Sequence, residues 1–203
     1  MKLRAACLLW LSCVSCAATQ AREPAAHAPH ARELFDTGVA LAQSGDLTRA
    51  EQYLASAHRD RRGNRASLVA LLAVCIRASR LRSALAYAEP YLKEHPRDVR
   101  LLQLSAALRF ALGELGRARE QLERVLLVDP ARSEAHYLLA RVHAALLGTV
   151  SSRPLVHEHR RKLREHFARY LTLSPDGAHA EEARSELLSS AAGPSARRRV
   201  AVH

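Results

Sequence analysis

A proline at position 130 has a counterpart at Pro96, and the 34-residue interval between them recurs along most of the chain. The same interval links Ala118 to Ala84 and Ala50, and Leu115 to Leu81 and Leu47; Gly113-Glu114 lies two intervals after Gly45-Asp46. Three units follow, 31–64, 65–98 and 99–132, carried by TGVALAQSGDLTRAEQYLASA (37–57), LLAVCIRASRLRSALAYAEPYLKEHP (71–96) and SAALRFALGELGRAREQLERVLLVDP (105–130). Each reads as an amphipathic helix, a short break and a second helix. Such a unit cannot bury its apolar face alone, so successive units must stack.

The spacing has a packing logic. Gly38 and Ala106 fall where the first helix of a hairpin crosses the second, with Ala50, Ala84 and Ala118 facing them, and small residues let the two axes approach closely. Gly45 and Gly113 suit the sharp turn between helices. Leu54 and Leu122 fill the hairpin core, while Ala57, Tyr91 and Val125 reach the next unit. Pro96 and Pro130 stop the second helix, because proline removes a donor and clashes with the preceding turn. Only 4% of residues are aromatic, and glycine and proline number eight each, which disfavours a sheet with many tight turns and favours an all-α fold.

A fixed period of this length, built of paired helices, resembles the tetratricopeptide repeat family. The resemblance covers 31–175 and implies a right-handed superhelical solenoid of about four helix-turn-helix repeats. The family's usual aromatic near the start of a unit is replaced by Leu34, Leu68 and Leu102, its Leu-Gly pair by Leu71-Leu72 and Ser105-Ala106, and the middle turn glycine by Ser79. A fourth unit opens with EAHYLLARVHAALLG (134–148), but its stopping proline, Pro175, comes eleven residues late. Those residues predict a longer turn and a long second helix over 154–173, with Ser152 as cap, Arg153-Pro154 opening the helix and its N-terminal end projecting beyond the stack. The other expected helices are 32–44, 48–61, 65–78, 82–94, 99–112, 116–128 and 133–147. A capping segment, 176–190, then covers the last apolar face with a helix from 178, and 191–203 reads as a disordered basic tail.

MKLRAACLLWLSCVSCAATQA has the cationic, apolar and small-residue order of a secretory signal, assigned to 1–18, with an apolar run too short to span a bilayer. Three readings stay open: lipidation at Cys16, lipidation at Cys13, or conventional cleavage. Residues 19–30 read as a flexible linker. Cys75 is the one cysteine beyond residue 16, so no disulfide is expected in the folded part, and its repeat position suits a small buried hydrophobe. The protein is therefore expected in the periplasm or associated with the outer membrane.

The net charge of +11 gathers toward the C-terminal end: residues 153–170 hold six basic and two acidic groups. Arg160, Arg161, Lys162 and Arg164 form an auxiliary basic patch. No phosphate-binding glycine loop, nucleophile elbow or carboxylate pair is found, so no catalytic residue is nominated and an enzyme is not expected. His157-Glu158-His159 lacks the spacing of a zinc-protease helix, since position 161 is arginine, and arginines around His159 and His166 would repel a cation. No metal and no cofactor are expected.

In tetratricopeptide arrays the first helices of the hairpins line a concave groove that binds a peptide or helix. Carried onto this chain, the resemblance places there Arg32, Phe35 and Val39 from the first unit, and Val69, Ala73, Ile76 and Arg77 from the second. The third contributes Arg100, Gln103, Ala107 and Phe110, and the fourth Tyr137 and Arg141. Some family members clamp a C-terminal carboxylate with Lys and Asn; here Val39 and Ala73 stand at asparagine-like positions, leaving an apolar strip edged by arginines. The resulting expectation is a non-enzymatic protein-interaction scaffold of the bacterial envelope that binds a partner peptide or amphipathic helix in assembly of an envelope or secretion complex. A lipidated cysteine would add membrane attachment, and no nucleic acid is expected. The alternative is electrostatic binding of an anionic polymer or membrane surface through 153–170 and Arg197–Arg199.

Overall fold

The computed structural model describes residues 27–60 and 64–191. The expected signal segment with Cys13 and Cys16, most of the linker and the tail beyond 191 lie outside them. The described residues form nine helices: α1 His27–Gln43, α2 Leu47–Asp60, α3 Arg65–Arg77, α4 Leu81–Glu94, α5 Val99–Ala111, α6 Leu115–Val128, α7 Ser133–Leu147, α8 Arg153–Leu173 and α9 Ala180–Ala191. No strand occurs among them. Each helix packs on the next, giving four hairpins, α1/α2 to α7/α8, followed by α9. The architecture is an all-α helical-repeat solenoid. One boundary differs markedly from expectation: α1 starts at His27, within the stretch read as linker. Pro29 sits in its first turn, where the missing N–H has no helical partner to lose.

The three repeats share one turn. Gly45 (φ 90°), Ser79 (φ 56°) and Gly113 (φ 78°) all adopt the left-handed conformation. The following N–H then reaches back five residues: Asp46 to the Leu41 carbonyl (3.0 Å), Arg80 to Cys75 (2.8 Å) and Glu114 to Arg109 (2.9 Å). This closure satisfies carbonyls that the helix end leaves open. Ser79 achieves it without glycine's freedom, so the second turn is strained where the others are not. The second helices also end alike, with N–H groups of His95, Asp129 and Ser174 returning to the carbonyls of Tyr91, Val125 and Tyr170. In each case a proline follows directly: Pro96, Pro130 and Pro175.

At the helix crossings, side-chain size alternates. A Cβ on Gly38 would lie 2.7 Å from Leu54 Cγ, so its near neighbour is Leu54, one turn beyond the Ala50 expected from the sequence. The 34-residue interval carries the pair Gly38/Leu54 to Leu72/Ala88 and Ala106/Leu122; with the eleven-residue insertion it becomes Ala140/Phe167. All four positions on α3, α4, α5 and α6 are at most 1% exposed. The second hairpin thus places its large residue on the first helix, and its neighbours place theirs on the second. Interiors pack near crystalline density, so this exchange conserves volume.

The fourth hairpin departs as expected. Its turn spans only 148–152, and the remaining insertion lengthens α8 to 21 residues against 14 in α2, α4 and α6. No residue of α8 before His159 is buried, so its first turn and a half projects beyond α7. Two buried clusters result. One runs from α1 to α7; the other gathers Tyr137, Ala140, Leu163, Phe167, Tyr170, Ala180 and Ala183 from α7, α8 and α9.

Candidate interaction surface

The first helices adjoin across repeats, α1 touching α3 and α5 touching α7. Side chains there are shared between core and surface. Phe35, Val39, Ile76 and Phe110 are half-buried against the main cluster, Ala107 is half-buried, and Val69 (40% exposed) and Ala73 face outward. Arg32 is exposed beside Asp36 (3.9 Å), and Arg77 bonds the Ala42 carbonyl (3.0 Å). Arg100 is exposed, whereas Gln103 accepts from Arg132 (2.7 Å) and is thereby committed to tying α5 to α7. A depression of about 280 Å³ opens between α1 and the start of α3, lined by Arg32, Phe35, Asp36 and Ser67 among others.

Tyr137 and Arg141 do not continue this surface freely. Tyr137 is only 6% exposed and stacks on His179 (centroids 3.9 Å apart, planes within 7°). Its hydroxyl donates to Glu182 (2.7 Å), and Arg141 bonds both the Tyr137 oxygen (2.9 Å) and Glu182 (2.6 Å). Burial, and next the hydrogen bond to Glu182, raise the phenol's pKa. The groove expected to run over all four repeats is covered at the fourth by α9, whose acidic first turn supplies the partner that these two side chains need.

The expected basic patch is divided. Arg160, Arg161 and Arg164 share one face of α8 with His157 around a groove of about 380 Å³. Lys162 lies off that face and bonds Glu165 (3.3 Å), which also pairs with Arg161 (3.3 Å). His157 and His159 point to different sides: the first lines the basic groove, the second is 7% exposed. Cys75 is fully buried, and burial, followed by nearby Glu51, pushes its thiol up to about 12, so it packs as a hydrophobe.

A second polar feature was not expected. His136 and His143 on α7 meet His166 and His159 on α8, Nδ1 to Nδ1, each at 3.1 Å. His143 and His166 lie parallel between the pairs, with centroids 5.8 Å apart. The sequence does carry a signal for it: both members on each helix are seven residues apart, two turns on one face. Among the described residues no group of three or more His, Cys, Asp or Glu side chains could hold a metal ion. Nor is any described helix long and apolar enough to cross a membrane.

Stacked helical hairpins with an open first-helix face define a helical-repeat domain. A family model for the tetratricopeptide repeat matches residues 76–142. A solved tetratricopeptide repeat protein from Parabacteroides merdae is 22% identical, with a TM-score of 0.67 over 81% of this chain; the chain spans 61% of that protein's length. YrrB, described as having an unusual peptide-binding site, is 19% identical, with a TM-score of 0.61 over 76% of this chain and 74% of its own. The first repeat domain of Spaghetti (RPAP3), solved with the HSP90 peptide SRMEEVD, is 22% identical, with a TM-score of 0.50 over 57% of this chain and 92% of its own. No curated protein sequence matches the chain.

Proposed function

We propose that the protein is a non-enzymatic scaffold that holds a segment of a partner protein along the face formed by α1, α3 and α5. The observation that carries this reading is the partly covered apolar strip of Phe35, Val39, Val69, Ala73, Ile76 and Phe110, bordered by Arg32, Arg77 and Arg100. Such a strip suits an amphipathic helix or extended segment with acidic flanks. The peptide-binding descriptions of YrrB and the Spaghetti domain support a binding role on the same fold. We place its work in the bacterial envelope, in assembly of an envelope or secretion complex, from the leader-like order of residues 1–18.

Val69 and Ala73 offer the cleanest test, since both are exposed and contribute little to the core. Peptides selected from a random library against the wild-type protein should bind a Val69→Asp/Ala73→Asp variant at least about tenfold more weakly, because a desolvated contact replaced by charge costs over 1 kcal/mol. Equal binding to both would refute the assignment. An export assay comparing wild type with Cys13→Ala and Cys16→Ala tests the compartment and the lipid anchor together.

One observation favours a second reading. The groove of His157, Arg160, Arg161 and Arg164 has no acidic lining residue and starts at the projecting part of α8. Beginning on that part with His157 and continuing past it along the exposed side of α8, it suits an anionic polymer or membrane surface, with binding that weakens as salt is added. Replacing Arg160, Arg161 and Arg164 with glutamine should abolish that salt-dependent binding, and unchanged retention at low salt would dismiss it.

A further inference from the structure

The four histidines between α7 and α8 form a ladder, His136–His166–His143–His159, with rings 5.3, 5.8 and 5.2 Å apart. His143 and His159 are 4% and 7% exposed, His136 is 9% exposed, and His166 is half-buried. We propose that this ladder is an acid-operated release: near neutral pH it holds α8, and α9 with it, against α7, and acidification detaches that pair while α1–α7 stays assembled. The proposal is independent of what the first-helix face binds.

The His136–His166 rung is built for a His136 that carries a single proton. An Nδ1-to-Nδ1 contact needs one N–H and one lone pair. His136 Nε2 lies 3.2 Å from the Pro130 carbonyl, an acceptor, so that nitrogen carries the proton and His136 Nδ1 carries the lone pair. His166 must then donate from its Nδ1. A second proton on His136 would set N–H against N–H. The surroundings oppose further charge as well. Arg119 approaches from α6, and Lys162 and Arg169 from α8, all cationic. Glu165 is the facing acid, already engaged by Lys162 and Arg161. From α9, Glu182 is taken up by Tyr137 and Arg141. His179 lies 3.8 Å from Glu134, and both are about two-fifths exposed, where such a pair contributes little.

Burial first, then the neighbouring histidines, holds His143 and His166 down to about 4, and burial also lowers His136. With the ordinary value at 6.5, the released state takes up protons between pH 6.5 and about 4 that the closed state refuses. The closed state is therefore fully favoured above 6.5 and loses ground as the pH falls. One such histidine changes the equilibrium by up to about 300-fold across that window. His136, His143 and His166 titrate as a group, so their effects do not simply multiply. The ladder itself sets the place of opening, between α7 and α8. α7 gives Ala135, Leu139 and Val142 to the main cluster and only Tyr137 and Ala140 to the second, whose other members, Leu163, Phe167, Tyr170, Ala180 and Ala183, come from α8 and the α9 segment. α7 stays with α6; α8 and α9 leave together, baring Tyr137 and Arg141.

Amide hydrogen exchange on the full chain, compared between about pH 7 and about pH 4.5 after correction for intrinsic rates, tests this. Protection of α8 and α9 should fall at least about tenfold more than that of α1–α6. Uniform loss, or none, would overturn the proposal. A His143→Leu/His166→Leu variant, which keeps bulk and cannot titrate, should lose the selective acid response. His143→Gln/His166→Gln, which retains hydrogen-bonding groups, gives the same readout if the leucine pair fails to fold. Selective acid loosening that persists in the folded variant places the trigger elsewhere and refutes the ladder as the device.

Discussion

The exchange of large and small residues at the second hairpin can be tested by reversing it. Leu72 is fully buried and Ala88 is 1% exposed, at positions equivalent to Gly38 and Leu54, which approach each other closely. Leu72→Ala removes the three outer carbons of a buried side chain and leaves a void, costing about 3 kcal/mol. Ala88→Leu alone drives three extra carbons into a filled crossing, costing about 2 kcal/mol. Independent effects would bring the double variant to about 5 kcal/mol. Together, however, the two changes recreate the Ala106/Leu122 arrangement of the third hairpin, which is fully buried. The double variant should therefore lie within about 1.5 kcal/mol of wild type, a coupling of roughly 3.5 kcal/mol. Urea unfolding followed by far-ultraviolet circular dichroism measures all four proteins, and an unchanged denaturant slope checks that the transition remains comparable. A double variant as unstable as the sum of the singles would refute volume exchange as the rule at these crossings.

Ser79→Gly should stabilise the protein by about 0.5–1 kcal/mol, relief of a left-handed serine outweighing the greater freedom of glycine in the unfolded chain, whereas Gly113→Ala should destabilise by about 1 kcal/mol; thermal melts distinguish the two. Cys75 should resist alkylation in the native protein at neutral pH and react once urea unfolds it, as peptide mapping would report. Deleting 176–203 should uncover Tyr137, Phe167 and Tyr170, raising binding of a hydrophobic dye and lowering solubility; a well-behaved truncated chain would show that α9 is dispensable.

The repeat itself was legible because its punctuation is covalent: turn residues and prolines act within a few positions of where they stand. Helix boundaries from α2 to α9 fall within two residues of those read from spacing. Ser79 marks the limit of that logic, since the turn persisted without its glycine once the flanking helices dictated the backbone. The surface was less legible. Tyr137 and Arg141 have the right register for a groove, but a helix more than thirty residues downstream folds over them, and register alone carries no information about such a return. Lys162 left the basic face because one position on a helix rotates a side chain by about 100°. The histidine ladder was hidden by the eleven-residue insertion, which breaks the count relating α7 to α8; their common spacing of seven becomes meaningful only when the two helices are known to be partners.

Repeats that resemble one another carry a hazard during folding, because any first helix has several near-equivalent second helices to choose from. The alternation at the crossings acts against such mistakes. Were α3 to pair with α6, Leu72 would meet Leu122 and the two leucines would compete for one space; were α5 to pair with α4, Ala106 would face Ala88 across a void. Each wrong partner carries a penalty of opposite kind, one steric and one of lost contact. The second hairpin therefore works as a lock-and-key element in the middle of an otherwise permissive array, keeping helices that differ little in length and polarity in their proper order.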